Sequence, residues 1–366
     1  MLNRSFDRRR FLALSGAAGL AAILAACGDD DGGDSKSTPS SGGSGATVDN
    51  ATLRLGYFPN LTHPQPNIGV ENGTFARVLG SNVKLETKTF NAGPAVIEAL
   101  FAGQIDVSYI GPNPAINGFV QSDGKEVRII AGAASAGALL VVRPGANISS
   151  PADFANKKIA TPQLGNTQDV ALRAWLKKNG LNAKEQGGNV NVLPTANADA
   201  LALFKKGDID GAWVPEPWAT RLVQEAEGKV FLDEKTLWPN GDFVTTHIIA
   251  RPGYLSEHPA VIESLLRAHV EVTEYAKASP TEAKSLLNRS IEKLTSAALP
   301  VKVLDAAWEN FKVTYDPIAS SLKKSADDAF ALGFLEKNPN LSTIYDLTAL
   351  NKVLKEKQLA EVKGLV

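Results

Sequence analysis

From Ala51 onward, short runs rich in β-forming residues alternate with helical patterns. A chain alternating in this way can cover both faces of its strands only by building open α/β sheets flanked by helices. Thr52–Tyr57, Val83–Phe90, Ile105–Ile110 and Val127–Ala131 read as strands, with helices at Pro94–Ala102 and Asn113–Gln121 between them. The strand series continues through Leu139–Val142, Lys158–Thr161, Asn189–Leu193, Gly211–Val214 and Lys229–Leu232. Asp169–Lys178 and Asp199–Lys206 are the intervening helices.

Beyond Pro252 the pattern becomes helical: Pro259–Ala278, Pro280–Asn288, Val301–Val313, Ala326–Leu335 and Leu347–Gln358 carry the spacing and little β-branched enrichment. A helical tail on an α/β body is what remains when a chain leaves a second lobe and returns to complete the first. The expected layout is therefore a first lobe over 51–142, a second over 143–246, and a helical return over 247–366. The small-residue stretch Ala131–Ala138 is the expected outgoing crossing, and Val244–Ala250 the return.

Three strand ends run directly into Gly, Pro, Asn or Thr and then into a helix: Asn91-Ala92-Gly93-Pro94, Gly111-Pro112-Asn113-Pro114 and Gly165-Asn166-Thr167-Gln168. Small residues there leave backbone N–H groups exposed at helix N-termini, an anion site that needs no cationic side chain. In open α/β sheets such loops sit at the carboxyl ends of strands, where ligands bind. The same residues also punctuate ordinary βα turns, but three such loops together favour a cleft. Tyr57-Phe58-Pro59-Asn60, followed by His63, ends the first strand; its aromatics either wall an apolar part of a ligand or pack in the core. Trp213-Val214-Pro215-Glu216-Pro217-Trp218 sets two indoles and a carboxylate between prolines. It reads either as a cleft lip with Trp213 as a wall, or as a packed connection with Glu216 capping a helix. A buried Glu216 beside an anion would need a donor, from Arg221, backbone amides or an amine on the ligand.

The N-terminus addresses the chain. Arg8-Arg9-Arg10 precede Phe11-Leu12 and an apolar run from Ala13 to Ala26, so residues 1–26 read as an export signal, of the twin-arginine type or an ordinary Sec signal with surplus charge. The run ends Leu24-Ala25-Ala26-Cys27, which resembles a bacterial lipobox and makes Cys27 the expected lipidation site. Cys27 is the only cysteine in the 366 residues, which excludes an intramolecular disulfide and a cysteine metal cluster. Residues 27–50, dominated by Gly, Asp, Ser and Thr, are expected to act as a flexible tether, with a reach of about 25 Å. Without residues 1–26 the chain carries 34 Lys+Arg against 38 Asp+Glu, a net charge of −4, and no basic excess that would point to nucleic acid.

The sequence resembles the periplasmic binding proteins for aliphatic sulfonates, taurine and nitrate that feed ABC importers. Leu55–Asn60, Gly103–Val107, Gly111–Ala115, Ala160–Asp169 and Glu216-Pro217-Trp218 carry the resemblance, which covers nearly all of the body. It implies a two-lobed type II periplasmic binding-protein fold that closes on its solute about hinge crossings. The family's helix N-termini would map to Gly93-Pro94, Asn113-Pro114 and Asn166-Thr167-Gln168, with Trp213 and Glu216 from the second lobe. Some sulfonate relatives have Ser or Thr where this chain has Ala92-Gly93-Pro94, which removes a hydroxyl donor. The expected ligand is an organosulfonate, then nitrate (for which His63 is the nearby imidazole), bicarbonate or taurine. The expected partners are a small anionic solute, the importer's permease, and the membrane through Cys27. A monomer is expected, with no cofactor and no metal. An enzyme is the competing class: thiamine-pyrimidine synthases share the fold but use histidines and a cysteine-rich motif. Here His63, His247, His258 and His269 form no ligand-spaced cluster, and no nucleophile elbow or Walker loop is present. A surface interaction protein without a small ligand is the third class, disfavoured by the double crossing.

Overall fold

The computed structural model describes residues 50–365. The signal over 1–26, Cys27 and the tether up to residue 49 lie outside the described residues. The chain lays down β1 (Ala51–Tyr57), β2 (Val83–Thr89), β3 (Val107–Ile110) and β4 (Arg128–Ala136). It then passes to β5 (Ala138–Val142), β6 (Lys158–Thr161), β7 (Asn191–Pro194), β8 (Gly211–Pro215) and β9 (Lys229–Asp233), and returns with β10 (Val244–Ala250) and β11 (Phe311–Val313). The first sheet has the order β11-β4-β10-β3-β1-β2 and the second β7-β6-β8-β5-β9. β1 pairs in parallel with β2 and β3, and β6 in parallel with β7 and β8, so these six strands point their carboxyl ends the same way within each sheet.

Helices α1 (Pro64–Glu71), α2 (Thr74–Leu79), α3 (Gly93–Phe101) and α4 (Pro112–Gln121) belong to the first lobe. The second lobe contributes α5 (Thr167–Lys178), α6 (Asn197–Lys206) and α7 (Trp218–Ala226). The return is α8 (Pro252–Glu257), α9 (Pro259–Ala278), α10 (Pro280–Thr295), α11 (Val301–Trp308), α12 (Ala319–Ala331) and α13 (Thr348–Glu356). Each sheet is buried on both faces. In β8 the alternation is plain: Ala212 and Val214 join one apolar cluster with Phe204 and Leu222, while Trp213 joins the other with Trp175 and Phe154.

The expected lobe boundaries are corrected at both ends. β5, expected to finish the first lobe, pairs with β8 and β9 in the second sheet. β10 is the expected return segment Val244–Ala250 and pairs with β3 and β4, so the lobe boundary expected at 247 falls at Val244. Most of the expected small-residue crossing is strand, because Ala131–Ala136 continue β4 between β10 and β11. The crossing itself is the Ala136-Gly137 step, with φ of 63° and 76°. Glycine suits this step twice: the left-handed backbone favours it, and a Cβ on Gly137 would come within 2.7 Å of Phe311 Cβ. The expected helix over Val301–Val313 stops at Trp308 and gives way to edge strand β11.

Trp213, expected as a cleft wall, is fully buried in the core of the second lobe, where its Nε1 donates to Glu234 Oε2 at 2.8 Å. Glu216 is equally buried and sits beside the crossing, its N–H donating to Gly137 O at 2.9 Å. Its carboxyl accepts from Thr220 N–H at 3.1 Å and Thr220 Oγ1 at 2.9 Å, which caps the start of α7. A third bond comes from Asn310 Nδ2 at 2.6 Å, a residue that precedes β11 in the first lobe. Arg221 is not its partner; Arg221 pairs with Glu225 at 2.7 Å.

Burial pushes the Glu216 carboxyl up to about 7, against the opposing effect of these three hydrogen bonds. Its raised value means that the folded protein keeps a proton the unfolded chain has released. The resulting stability is fully present below the unfolded value near 4.5 and is lost as pH rises through about 7. Glu216→Gln cannot ionise, so the stability advantage of the native residue over this variant should shrink between pH 5 and 8, by up to about 3 kcal/mol. Urea unfolding of both proteins across that range measures it. Trp213→Ala should lower the unfolding free energy by about 3–5 kcal/mol in the same assay, as for a large buried aromatic.

Candidate functional site

The carboxyl ends of β1, β2 and β3 face those of β6, β7 and β8 across a cavity between the lobes, as the topology of open sheets dictates. From the first lobe, Phe58, Asn60, Thr62 and His63 follow β1, Asn91 follows β2, and Gly111 follows β3. β10 adds Thr245 and Thr246. The second lobe supplies Pro162, Asn166, Thr167 and Gln168 after β6, Asn197 after β7, and Pro215 at the end of β8. No Asp, Glu, Lys or Arg lines this cavity.

Its polarity comes from donors fixed by the fold. Thr167 and Gln168 occupy the first turn of α5, where backbone N–H groups have no intrahelical acceptor. Asn197 begins α6 in the same way. On the first lobe, prolines at the starts of α1, α3 and α4 remove several such donors, so the second lobe carries the stronger anion-facing end. The loop before α5 is held by Asp169, which accepts from Thr161 Oγ1 at 2.8 Å and Gly165 N–H at 2.9 Å and pairs with buried Arg173 at 3.0 Å. The Thr167 hydroxyl is buried without a protein partner, as is Asn197 Oδ1.

His63 supplies a further neutral donor. Its ring stacks on Phe58 at 4.2 Å, and Nδ1 accepts the Phe58 N–H at 3.4 Å. An accepting Nδ1 leaves the proton of the neutral ring on Nε2. Burial lowers its pKa to about 3, so the imidazole is uncharged at any ordinary pH. Asn60 Oδ1 accepts from Trp218 Nε1 at 3.0 Å across the lobes. Gly111 and Thr167 also meet there: a Cβ on Gly111 would lie 2.3 Å from Thr167 Oγ1. The lobes are thus closed upon one another.

Of the residues singled out in the sequence, the cavity gathers Phe58, Asn60, His63, Gly111, Asn166, Thr167 and Gln168. The others stand elsewhere. Tyr57 is in the first-lobe core, and Gly93 is pressed against Pro114, where a Cβ would come within 2.3 Å. Pro94 lies behind it on α3. Asn113 turns away to donate to Ser325 O at 3.1 Å. Gly165, with φ of 72°, makes the turn before α5, and Trp213 and Glu216 are the core and crossing residues described above. Sequence reading named Asn91 only as part of its loop and missed Thr62, Asn197, Thr245 and Thr246. Asn197 carries the same strand-to-helix signal as the three quoted loops. Thr245 and Thr246 carry none, since they enter through the return crossing. Among the described residues no group of His, Cys, Asp and Glu is placed to hold a metal ion, and no helix is long and apolar enough to cross a membrane.

Known proteins share this fold. The chain is 27% identical over 209 residues to the taurine-binding periplasmic protein of Escherichia coli (strain K12), covering 57% of this chain and 62% of that protein's length. The alkanesulfonate-binding protein from Xanthomonas axonopodis pv. citri, bound to MOPS, superposes with a TM-score of 0.68 over 82% of this chain and 99% of that one, at 18% identity. The periplasmic nitrate-binding protein from Synechocystis PCC 6803 gives 0.69 over 83% and 88%, at 17% identity. These likenesses establish the two-lobed periplasmic binding-protein fold. Residues 46–290 match the NMT1-like family, and the chain belongs to that family.

Proposed function

We propose that the protein is the solute-binding component of an ABC importer and that its solute is an aliphatic sulfonate held between the lobes. The observation that carries this reading is a closed cavity of neutral donors with no charged side chain: the first turn of α5, the Thr167 hydroxyl and His63 Nε2–H. Such a site suits a weakly hydrated monoanion whose charge is spread over three oxygens. An uncompensated dianion would be costly to desolvate there. The names of similar proteins, which bind taurine, alkanesulfonates and nitrate, support the class. Taurine is the second reading, because Asn197 Oδ1 is an unpartnered acceptor able to receive an ammonium group.

Binding, rather than turnover, is the reading, since the cavity gathers no nucleophile with an adjacent base. The N-terminal pattern supports export by residues 1–26 and, on this reading, a lipid anchor on Cys27 on the outer face of the cytoplasmic membrane. It would act there as a monomer, delivering solute to the permease.

Titration calorimetry with butanesulfonate, taurine, nitrate and bicarbonate tests the ligand. Butanesulfonate should bind; binding of nitrate or bicarbonate alone would replace the ligand class, and appearance of a product would replace the role. Thr167→Ala should weaken sulfonate binding by about 1.5–3 kcal/mol, the worth of a hydrogen bond to a charged group. Gly111→Val, whose backbone φ of −71° any residue adopts, should leave stability nearly unchanged yet sharply reduce affinity, because its side chain meets Thr167 only when the lobes close.

A further inference from the structure

Helix α5 serves the cavity with its first turn and meets the opposite lobe, at α4 and α12, along one side. Thr167 stands over Gly111. One turn on, Val170 is 3% exposed, and its apolar neighbours are not those of its own lobe. It belongs to the cluster that holds Ile116 of α4, Leu322 and Ala326 of α12, and Leu335; among the described residues it is the one member that the second lobe contributes. Farther along, Arg173 sits over the Phe334 ring at 5.8 Å, and Lys177 Nζ donates to Ala331 O at 2.9 Å. That carbonyl ends α12, where the last carbonyls have no intrahelical donor. Thr167, Val170, Ala174 and Lys177 recur at the spacing of a single helix face, so one stripe of α5 runs against the first lobe from the cavity to the rim. Leu172, Trp175 and Leu176, on other faces, pack in the second lobe's own core.

We infer that Val170 is a positioning residue for solute binding: it stands outside the cavity, yet it sets the affinity by holding α5 against the first lobe in the closed form. The inference rests on the solute-binding reading, whichever anion is the solute. Val170 does not line the cavity, but it lies one turn from Thr167, so its contact fixes the first turn of α5 against the first-lobe wall. The polar groups on the same side are less able to do this. Lys177 is exposed, and the Arg173 guanidinium is already paired with Asp169 and Glu185 of its own lobe. An aliphatic side chain that leaves this cluster on opening returns to water, so its burial favours the closed form alone. A solute that binds the closed form is weakened in proportion to the fraction of protein able to take that form. Loss of the Val170 contact therefore lowers affinity for every solute by the same factor.

Val170→Ala and Val190→Ala separate this role from an ordinary core contact. Both remove the same two methyl groups from the second lobe, but Val190 is buried within that lobe's own core. Titration calorimetry with butanesulfonate, taurine, nitrate and bicarbonate reads affinity, and urea unfolding of the unliganded proteins reads stability. Val170→Ala should raise Kd roughly tenfold, by the same factor for each anion that the native protein binds, with unliganded stability nearly unchanged. Val190→Ala should do the reverse, lowering stability and leaving Kd as it was. Val170→Thr, similar in volume but with a hydroxyl that water satisfies only in the open form, should also weaken binding. An unchanged Kd in both Val170 variants would overturn the inference and leave the solute-binding reading standing. So would a loss of unliganded stability in Val170→Ala equal to that in Val190→Ala, or a factor that differs from one anion to the next. Binding of none of the four anions by the native protein would overturn the solute-binding reading, and the inference with it.

Discussion

The two-residue step Ala136-Gly137 fixes the geometry on which everything else depends. β4 of the first sheet becomes β5 of the second with only this turn of left-handed backbone between them, and the return from β9 to β10 is the second connection between the sheets. Nearby residues converge on the same point. Gly137 O takes the Glu216 N–H, the Thr245 hydroxyl donates to Ala136 O, and Asn310 reaches from the first lobe to the Glu216 carboxyl. A carboxyl buried here without a cationic partner is costly. Its retention is understandable as a shared acceptor that ties α7, the crossing and β11 together, rather than as a ligand contact.

That geometry decides what kind of site forms. With the strand ends of both sheets facing one another, the groups nearest the seam are helix first turns and short polar side chains, not the long cationic side chains of outer helices. Arg173, the most deeply buried guanidinium near α5, is consumed by Asp169 and Glu185, and Arg221 by Glu225. Neutral donors can lie 3–6% exposed, as Thr167, His63 and Asn166 do, without the penalty of a buried charge. They remain hydrogen-bond donors at every ordinary pH, because burial holds the His63 imidazole neutral.

Much of this was legible from residue order, for identifiable reasons. β6 and α9 were read to the residue, because Lys158–Thr161 is bounded by turn formers and Pro259 opens a long periodic run. α1 was missed because Pro64 and Pro66 look like breakers, although proline in a first helical turn removes only N–H groups that have no acceptor anyway. β11 was absorbed into a helix because three residues at a sheet edge carry too little pattern to be told from a helix end. Trp213 was drawn toward the cleft by its neighbours Pro215 and Glu216. Alternation along β8 places it on one face or the other, and only tertiary packing, with Glu234 reaching its Nε1, says which. The start of α5 lies on the cavity with donors in its first turn, whereas at α3 and α4 the same prolines that mark the turns also remove donors.

The contacts between the closed lobes bear on how the site works. Trp218 to Asn60 is a single neutral hydrogen bond, worth about 0.5–1.5 kcal/mol net, and Gly111 against Thr167 is a bare approach of backbone to hydroxyl. Asn310 to Glu216 lies beside the pivot, where opening displaces it least. Against these stand the buried, unpartnered Thr167 hydroxyl and Asn197 oxygen, which water would satisfy if the lobes opened. Further bonds that cross the lobes, from Lys177 Nζ to Ala331 O at 2.9 Å, Gln186 Nε2 to Leu332 O at 3.2 Å and Gln224 Nε2 to Lys302 O at 3.2 Å, lie at the exposed rim. On the proposed reading, a solute that accepts from α5 on one side and His63 on the other bridges the lobes only in the closed form. A ligand shifts such an equilibrium by its differential affinity for the two states, and the proposal locates that difference at the first turn of α5 and the residues facing it.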